Sequence, residues 1–238
     1  MARLPRIVIP GEPMHIMHRG NNRQDIFQRE EDYFRFLDDL KTSLKQYDCD
    51  LHAYVLMTNH FHLLLTPHTV KALSGLMQSI GRRYVRYVNS EYNRSGTLWE
   101  GRFKSSLIDS ERYLMTCYRY IEENPIRAGM VQSIEDYRWT SYHHNALGIL
   151  DKLITPHPLY NSLAPEKEAR QLAYKQLFEG RLHVKTIELL NESAEKGDVL
   201  GDEGFHRRIE RLIGRVTIKG HHGGDRKSEK FKNQHKNT

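Results

Sequence analysis

Residues 54–65 constrain the fold more than any other stretch. An apolar, partly β-branched run leads into His60, Phe61 and His62 and ends in three leucines shortly before Pro67. This composition is typical of a strand that is buried on both faces and bounded by a breaker. Because strand side chains alternate, His60 and His62 share one face and Phe61 takes the other. Two imidazoles placed in this way converge on one point, where they can share a metal ion.

The histidine pair does not by itself establish a metal site. A buried histidine is more often a structural residue with satisfied ring nitrogens than a ligand. Two of them on one face each need a partner for the second nitrogen, which favours a metal. The pair alone suits zinc, iron or manganese equally.

The composition is that of an ordinary chain of 238 residues, 38% hydrophobic and 28% charged, which is long enough for a substantial core. The sequence contains no recognisable secretory signal and no apolar stretch of membrane-spanning length. Its two cysteines, Cys49 and Cys117, form no disulfide or metal-binding framework. A reducing cytoplasm is therefore the expected location.

The net charge of +6 is concentrated at the C-terminal end. Residues 206–238 carry ten Lys or Arg against three Asp or Glu, whereas residues 1–205 carry 26 against 27. A basic end on a near-neutral body favours a nucleic-acid partner. A solubilising, disordered end explains the same charge equally well.

Strands and helices are predicted to alternate over the first 150 residues. The predicted elements are a strand at 14–18, a helix at 30–47, the histidine strand, a helix at 70–89, an extended hairpin at 96–108, and a helix from 109 or 110 to about Asn124. This order predicts an α+β fold in one compact unit.

The C-terminal third is predicted to be helical. Helical patterns cover residues 165–178, 184–194 and 202–216, and residues from 219 onward lack a periodic apolar pattern. The predicted domains are 1–150, a helical extension at 151–218 that is a candidate for DNA binding, and a basic, disordered tail at 219–238.

The helix that ends near Asn124 supplies a phenol and a carboxamide. Tyr118 lies on its apolar stripe and is predicted to belong to the core. Tyr120 and Asn124 lie one turn apart, so their side chains project together. A carboxamide oxygen is a sensible third ligand beside two imidazoles. The alternative for Tyr120 is a tyrosine packed at the edge of the sheet.

Together these residues resemble the REP-associated tyrosine transposases, a branch of the single-tyrosine transposases of the HUH endonuclease class. The resemblance is carried by His60-Phe61-His62 after Met-Thr-Asn and by residues 120–131, which read YIEENPIRAGMV. Residues 15–23 and the YRWTSY stretch at 137–142 add to it. It covers roughly residues 5 to 148.

The resemblance implies a ferredoxin- or RRM-like antiparallel sheet packed with helices, which is the HUH endonuclease fold. It implies that His60 and His62 hold a Mg²⁺ or Mn²⁺ ion and that Tyr120 is the nucleophile. Asn124 stands where some relatives use a glutamine as third metal ligand.

The implied activity is that of a metal-dependent single-stranded DNA endonuclease and strand transferase. Its implied substrate is repeated palindromic hairpin DNA, cleaved through a 5′-phosphotyrosine intermediate. The implied protein is bacterial, cytoplasmic and nucleoid-associated, is not bound to a membrane, and is a monomer or a homodimer.

Several basic and polar side chains are candidates for DNA contacts. An ordinary turn or a solvated amphipathic helix explains most of them equally well. The candidates are Arg19, Asn21, Asn22 and Arg23 in a polar loop, Arg82, Arg83 and Arg86 on the second helix, Arg102 and Lys104 near the site, and Arg207, Arg208 and Arg211 on the last helix.

Two other functions compete with strand transfer. A catalytically silent nucleic-acid-binding regulator predicts binding without a covalent adduct. A metal-dependent hydrolase that uses water predicts cleavage that survives the loss of Tyr120. The presence of both histidines and the tyrosine in one chain favours the transferase.

Overall fold

The computed structural model describes residues 5–217 of the chain. Its elements are, in order, β1 (Met14–Arg19), α1 (Glu30–Tyr47), β2 (Cys49–Leu56), β3 (His60–Pro67), α2 (Ala72–Glu91), β4 (Lys104–Ile108), α3 (Ser110–Glu122), α4 (Asn124–Arg127), α5 (Tyr142–Asn145), α6 (Pro158–Asn161), α7 (Lys167–Gln176), α8 (Val184–Lys196), β5 (Val199–Leu200) and α9 (Glu203–Ile213). No helix within this range has the length and apolar character needed to cross a membrane.

The strands form one five-stranded sheet in the order β2-β3-β1-β4-β5. All neighbours run antiparallel except β4 and β5. The predicted α+β fold, with a largely antiparallel sheet packed with helices, is therefore confirmed. Helices of the C-terminal extension are also present, whereas the predicted disordered tail at 219–238 lies outside the described residues.

The two faces of β3 carry different layers of the protein. Phe61 packs against Phe36 of α1, with 4.8 Å between ring centroids, and α2 packs beside α1 on that face. Burial of an aromatic side chain of this size contributes about 1.5–3 kcal/mol. His62 faces the other way, toward Tyr120 of α3. The predicted alternation of His60, Phe61 and His62 is confirmed.

The prediction of a hairpin at 96–108 is wrong for its first strand. Only residues 104–108 form a strand, and a single isolated bridge joins Trp99 to Gly20. Leu98 and Trp99 are buried, and Trp99 stacks on His18 with 4.4 Å between centroids. The burial of these side chains draws the segment onto the end of β1, so it does not pair with β4.

A buried carboxyl group holds α3 against the segments that follow it. Glu122 accepts hydrogen bonds from Ser141 Oγ at 2.5 Å, from Asn145 Nδ2 at 2.8 Å and from the Tyr174 hydroxyl at 2.6 Å. Burial nevertheless raises the pKa of Glu122 to about 7. Because α3 carries Tyr120, this network fixes the helix on which the candidate nucleophile stands.

The chain divides into two compact units between Asp202 and Glu203. In the first unit, α8 packs against β4 and β1, so part of the extension covers the sheet. The second unit contains α9, in which Arg207 pairs with Glu203 at 3.2 Å. The predicted boundaries at 150 and 218 stay predictions.

Candidate active site

The predicted histidine pair and tyrosine lie together on one face of the sheet. The ring centroids of His60 and His62 are 5.2 Å apart, and those of His62 and Tyr120 are 5.7 Å apart. Strand β3 supplies the imidazoles at alternate positions, and α3 crosses that face and supplies the phenol. Three side chains separated by up to 60 residues therefore meet at one point.

Asn59 fixes the tautomer of His60. The side-chain nitrogen of Asn59 donates to the main-chain oxygen of Arg23 at 3.1 Å, which orients its amide. The amide oxygen then accepts from Nδ1 of His60 at 2.7 Å. A neutral His60 consequently carries its free lone pair on Nε2, which is the form that binds a metal ion.

A third histidine supports His62. Nε2 of His15, on β1, lies 2.8 Å from Nδ1 of His62, and the two rings are nearly parallel at 11°. His15 is fully buried, and its Nδ1 has no hydrogen-bond partner in the part of the chain that the structure describes. When Nδ1 of His62 is the donor in this pair, Nε2 of His62 is free to bind a metal ion.

Burial keeps these imidazoles neutral at physiological pH. It lowers the pKa of His15 to about 3, and the positive charge of Arg127 acts in the same direction. Burial also lowers the pKa of His60 to about 4 and that of His62 well below its usual value. Neutral imidazoles are the metal-binding form, so a metal ion would displace no proton from them at neutral pH.

The phenol of Tyr120 is buried, with 2% of its surface exposed. Its hydroxyl donates a hydrogen bond to Oδ1 of Asn191 on α8, at 2.6 Å. Burial raises the pKa of Tyr120 to about 12, although the nearby charge of Arg127 opposes that shift. The phenol is therefore protonated at neutral pH and must lose its proton in order to attack.

Arg127 lies against the ring of Tyr120. Its guanidinium carbon is 4.5 Å from the ring centroid, and Nη2 donates to the main-chain oxygen of Tyr120 at 2.5 Å. The short helix α4 begins with Pro125 in its first turn, where a missing N–H breaks no helical hydrogen bond, and it ends at Arg127.

Asn124 uses its amide nitrogen to cap α3. Nδ2 donates to the main-chain oxygens of Tyr120 at 3.1 Å and Ile121 at 3.2 Å. These bonds satisfy carbonyl groups that the end of a helix otherwise leaves unpaired. The carbonyl oxygen is the atom of this side chain that remains for a metal, so its predicted role as a ligand stays a prediction.

The candidate ligands, two imidazole nitrogens and one amide oxygen, suit a divalent ion that accepts both nitrogen and oxygen ligands. Within residues 5–217, no three His, Cys, Asp or Glu side chains are placed to hold one ion. Protein ligation would therefore rest on two imidazoles and a neutral amide oxygen, and water or phosphate would complete the shell. Of the two predicted ions, Mn²⁺ tolerates imidazole better than Mg²⁺, which favours oxygen.

The predicted polar loop follows β1 directly into the site. Arg19 lies opposite His60 in the β1–β3 register, and its charge lowers the pKa of His60 after the larger effect of burial. Asn21, Asn22 and Arg23 form a 3-10 helix immediately after the strand, in which Asn22 and Arg23 are exposed. This group therefore borders the histidine pair, and its contact with DNA stays a prediction.

The other predicted DNA contacts lie in different places. Lys104 pairs with Glu195 of α8 at 2.5 Å, and Arg102 is exposed just before β4. The arginines of α2 lie on the helical layer that covers Phe61, opposite the histidine pair; they are Arg82, Arg83 and Arg86, all exposed. Arg207, Arg208 and Arg211 lie on α9 in the second compact unit.

Sequence reasoning missed three residues of the site, which are His15, Arg127 and Asn191. His15 can be identified as a site residue once the pairing of β1 with β3 is known, because it then shares a face of the sheet with His62. Arg127 stands within the motif at 120–131 and seven residues after Tyr120, which is two helical turns. Asn191 has no sequence signal, because only the packing of α8 brings it to Tyr120.

Part of the chain is similar in sequence to known transposases. The family model described as "Transposase IS200 like" matches residues 12–124. A Haemophilus influenzae protein assigned to the REP-associated tyrosine transposases is 25% identical over 116 residues, which is 44% of this chain and 65% of the relative. The match thus spans just under two thirds of that relative's length.

Solved structures resemble the chain in fold. A REP-associated tyrosine transposase bound to a REP hairpin has a TM-score of 0.55 and 18% identity, over 66% of this chain and 93% of that one. A Deinococcus radiodurans protein assigned as a transposase has a TM-score of 0.36 and 20% identity, over 57% and 98% of the two chains. Only the first likeness is strong enough to support the shared fold. Residues 12–124 of the chain therefore resemble the IS200-like transposases, and the predicted resemblance to the REP-associated tyrosine transposases is confirmed.

Proposed function

We propose that the protein is a metal-dependent single-stranded DNA endonuclease and strand transferase that acts through a 5′-phosphotyrosine intermediate. The observation that carries this proposal is the convergence of Tyr120 with the neutral histidine pair on one face of the sheet. A phenol beside two metal-competent imidazoles is suited to attack a phosphodiester, because the phosphate has a cation to bind and a nucleophile within reach.

His60, His62 and the amide oxygen of Asn124 are the residues that would hold the divalent ion. When bound, the ion supplies Lewis-acid polarisation of the phosphate and stabilises charge on the leaving 3′ oxygen. Asn59 and His15 orient the two imidazoles through their Nδ1 atoms. Partners of this kind hold ligand rings in position and fix the tautomer that binds metal.

Tyr120 would form the covalent bond. Its hydroxyl oxygen attacks phosphorus, the bond from phosphorus to the 3′ oxygen breaks, and the DNA remains attached through its 5′ phosphate. The phenolic proton passes to solvent, and the departing 3′ oxygen takes up one proton. Since the phosphotyrosine is itself a phosphodiester, a 3′ hydroxyl can later reverse the reaction without another source of energy.

Hairpin DNA with an adjoining single strand is the substrate class that we propose. A REP-associated transposase of the same fold is bound to a REP hairpin, which supports this choice. Arg19 and the exposed 3-10 helix at 21–23 would meet DNA beside the histidine pair. Contacts of Arg102, Arg82, Arg83, Arg86 and the α9 arginines with phosphates would add salt-dependent affinity.

A cleavage assay tests the proposal. Hairpin DNA from the repeats that flank the coding region is incubated with protein and Mn²⁺, and the products are separated on a denaturing gel. A protein-linked DNA band is expected, and chelator or His62→Ala should abolish it. An unrelated hairpin serves as the control substrate.

The same assay separates the alternatives. Tight binding with no cleavage, over several metals and hairpins, would contradict the proposal and favour a regulator that only binds nucleic acid. Cleavage that yields free 5′ phosphate and never a protein-linked product would indicate a hydrolase that uses water.

A further inference from the structure

Arg127 is the cation in contact with the ring of the candidate nucleophile. Its guanidinium carbon lies 4.5 Å from the Tyr120 ring centroid. The positive charge also acts on His15 and His62, since it lowers the pKa of both after the larger effect of burial. Arg127 is thus placed on the side of α3 that faces the histidines.

The guanidinium of Arg127 is only partly satisfied. Nη2 donates to the main-chain oxygen of Tyr120, whereas Nη1 is buried and has no hydrogen-bond partner among residues 5–217. A buried donor without an acceptor costs about 1–3 kcal/mol. A non-bridging oxygen that arrives with the substrate would supply the acceptor that this donor lacks.

The charge of Arg127 is also poorly neutralised. Glu123 is shared between two arginines, with its Oε1 at 2.6 Å from Nε of Arg119 and its Oε2 at 3.7 Å from Nη1 of Arg127. The first distance is that of a charge-assisted hydrogen bond, and the second is beyond hydrogen-bond reach. Glu123 therefore mainly satisfies Arg119 and makes no hydrogen bond of normal length to Nη1 of Arg127.

We propose that Arg127 is a catalytic residue that binds a non-bridging oxygen of the phosphodiester attacked by Tyr120. This inference rests on the proposed function and extends it, because it names the group that holds the reacting phosphate from the nucleophile's side. The histidine pair faces the phosphate from the sheet, and Arg127 faces it from the end of α3.

The chemical role of Arg127 is electrostatic. As the Tyr120 oxygen bonds to phosphorus and the 3′ oxygen leaves, negative charge builds on the non-bridging oxygens. A guanidinium N–H aimed at such an oxygen stabilises the transition state more than the ground state. Arg127 stays protonated throughout, so it neither gives nor takes a proton in the step.

Variants at Arg127 and Arg119 form a matched pair for the test. Both arginines contact Glu123, but only Arg127 touches Tyr120. Hairpin affinity and the single-turnover rate of adduct formation are measured for wild type, Arg127→Met, Arg127→Lys and Arg119→Met. Thermal unfolding of each variant checks that it folds, and Tyr120→Phe confirms that the adduct measured is the tyrosine adduct.

Arg127→Met should slow adduct formation by ~100-fold or more, while hairpin affinity changes by no more than about threefold. Arg127→Lys should recover part of the rate, because lysine keeps the positive charge but lacks the planar guanidinium group. Arg119→Met should retain the rate of wild type within about threefold.

A methylphosphonate at the cleaved position removes the charge from the target phosphate. If Arg127 binds that group, the combined loss in the rate of adduct formation from methylphosphonate and Arg127→Met is smaller than the product of the two separate losses. The losses in rate from methylphosphonate and Arg119→Met should multiply. Equal rates for Arg127→Met and Arg119→Met, or fully multiplicative losses at Arg127, would overturn the inference alone. Absence of any adduct in wild type would overturn the proposed function, and this inference with it.

Discussion

The hydroxyl of Tyr120 donates a 2.6 Å hydrogen bond to Oδ1 of Asn191, a residue 71 positions further along the chain. An amide oxygen is too weak a base to take the phenolic proton, so this bond stabilises the protonated phenol. Asn191 lies on α8, beyond the residues 12–124 that match the transposase family. The extension therefore acts directly on the candidate nucleophile.

Asn191→Ala should speed adduct formation. Attack by Tyr120 requires the phenol to leave its bond to Asn191, and a bond of this kind stabilises the ground state by about 1 kcal/mol. Its removal should raise the single-turnover rate roughly fivefold. A tenfold fall in the rate would instead show that Asn191 holds the phenol in its reactive position.

His15→Phe should weaken metal binding without preventing folding. It removes the nitrogen that contacts Nδ1 of His62, and the loss of such a partner typically lowers metal affinity ~10–100-fold. Calorimetric titration with Mn²⁺ measures the effect in the absence of DNA. His52→Gln is the control, since His52 is a buried histidine that bonds to Thr66 and Thr155 instead. Equal Mn²⁺ affinities in wild type and His15→Phe would contradict a supporting role for His15.

The histidine pair and the tyrosine were predictable because each depends on a local repeat. The period of two places His60 and His62 on one face, and helical spacing separates Tyr120 from the core residue Tyr118, which is fully buried as predicted. The helix predicted at 30–47 is confirmed at α1, because its apolar side chains recur without interruption.

Features that depend on tertiary packing were not predictable. The strand β5 has only two residues and pairs in parallel with β4, so no periodic pattern marks it. The contact between His15 and His62 requires the strand order, and the contact between Asn191 and Tyr120 requires the position of α8. Metal identity, DNA sequence and oligomeric state likewise depend on contacts with other molecules.

Stability should fall as the pH drops from about 6.5 toward 4. Burial lowers the pKa of both His18 and His52 to about 4, whereas in the unfolded chain each is near 6.5. In this window the unfolded chain binds protons that the folded chain does not, so the contribution of these two histidines to stability is complete above pH 6.5 and is lost on acidification. Each histidine contributes on the order of 3 kcal/mol.

Urea unfolding across this pH range measures the loss. His52→Gln should show a shallower dependence on pH than wild type, because one titrating group is missing. Identical slopes for the two proteins would contradict the assignment of the acid sensitivity to buried neutral histidines.

Glu122→Ala should destabilise the fold strongly. It leaves three buried donors without their acceptor and opens a cavity beneath α3, for a loss on the order of 3–5 kcal/mol in urea unfolding. Glu122→Gln keeps the shape and should lose less. A loss below about 1 kcal/mol in the alanine variant would show that the network contributes little.

The pH dependence of stability provides a second test of the role of Glu122. Because burial raises its pKa to about 7, its contribution to stability is complete below pH 4.5 and is lost as the pH rises through about 7. The stability difference between wild type and Glu122→Gln should therefore narrow from pH 5 to pH 8. A difference that widens over this range would contradict a raised pKa for Glu122.

The proposed function is tested most directly by identifying the residue that forms a covalent bond to DNA. Wild type and Tyr120→Phe are incubated with hairpin DNA and Mn²⁺, and any protein-linked product is digested and analysed by mass spectrometry. We expect a nucleotide attached through its 5′ phosphate to Tyr120 in wild type and no adduct in Tyr120→Phe. An adduct on another residue, or cleavage that persists unchanged in Tyr120→Phe, would contradict the assignment of Tyr120 as the nucleophile.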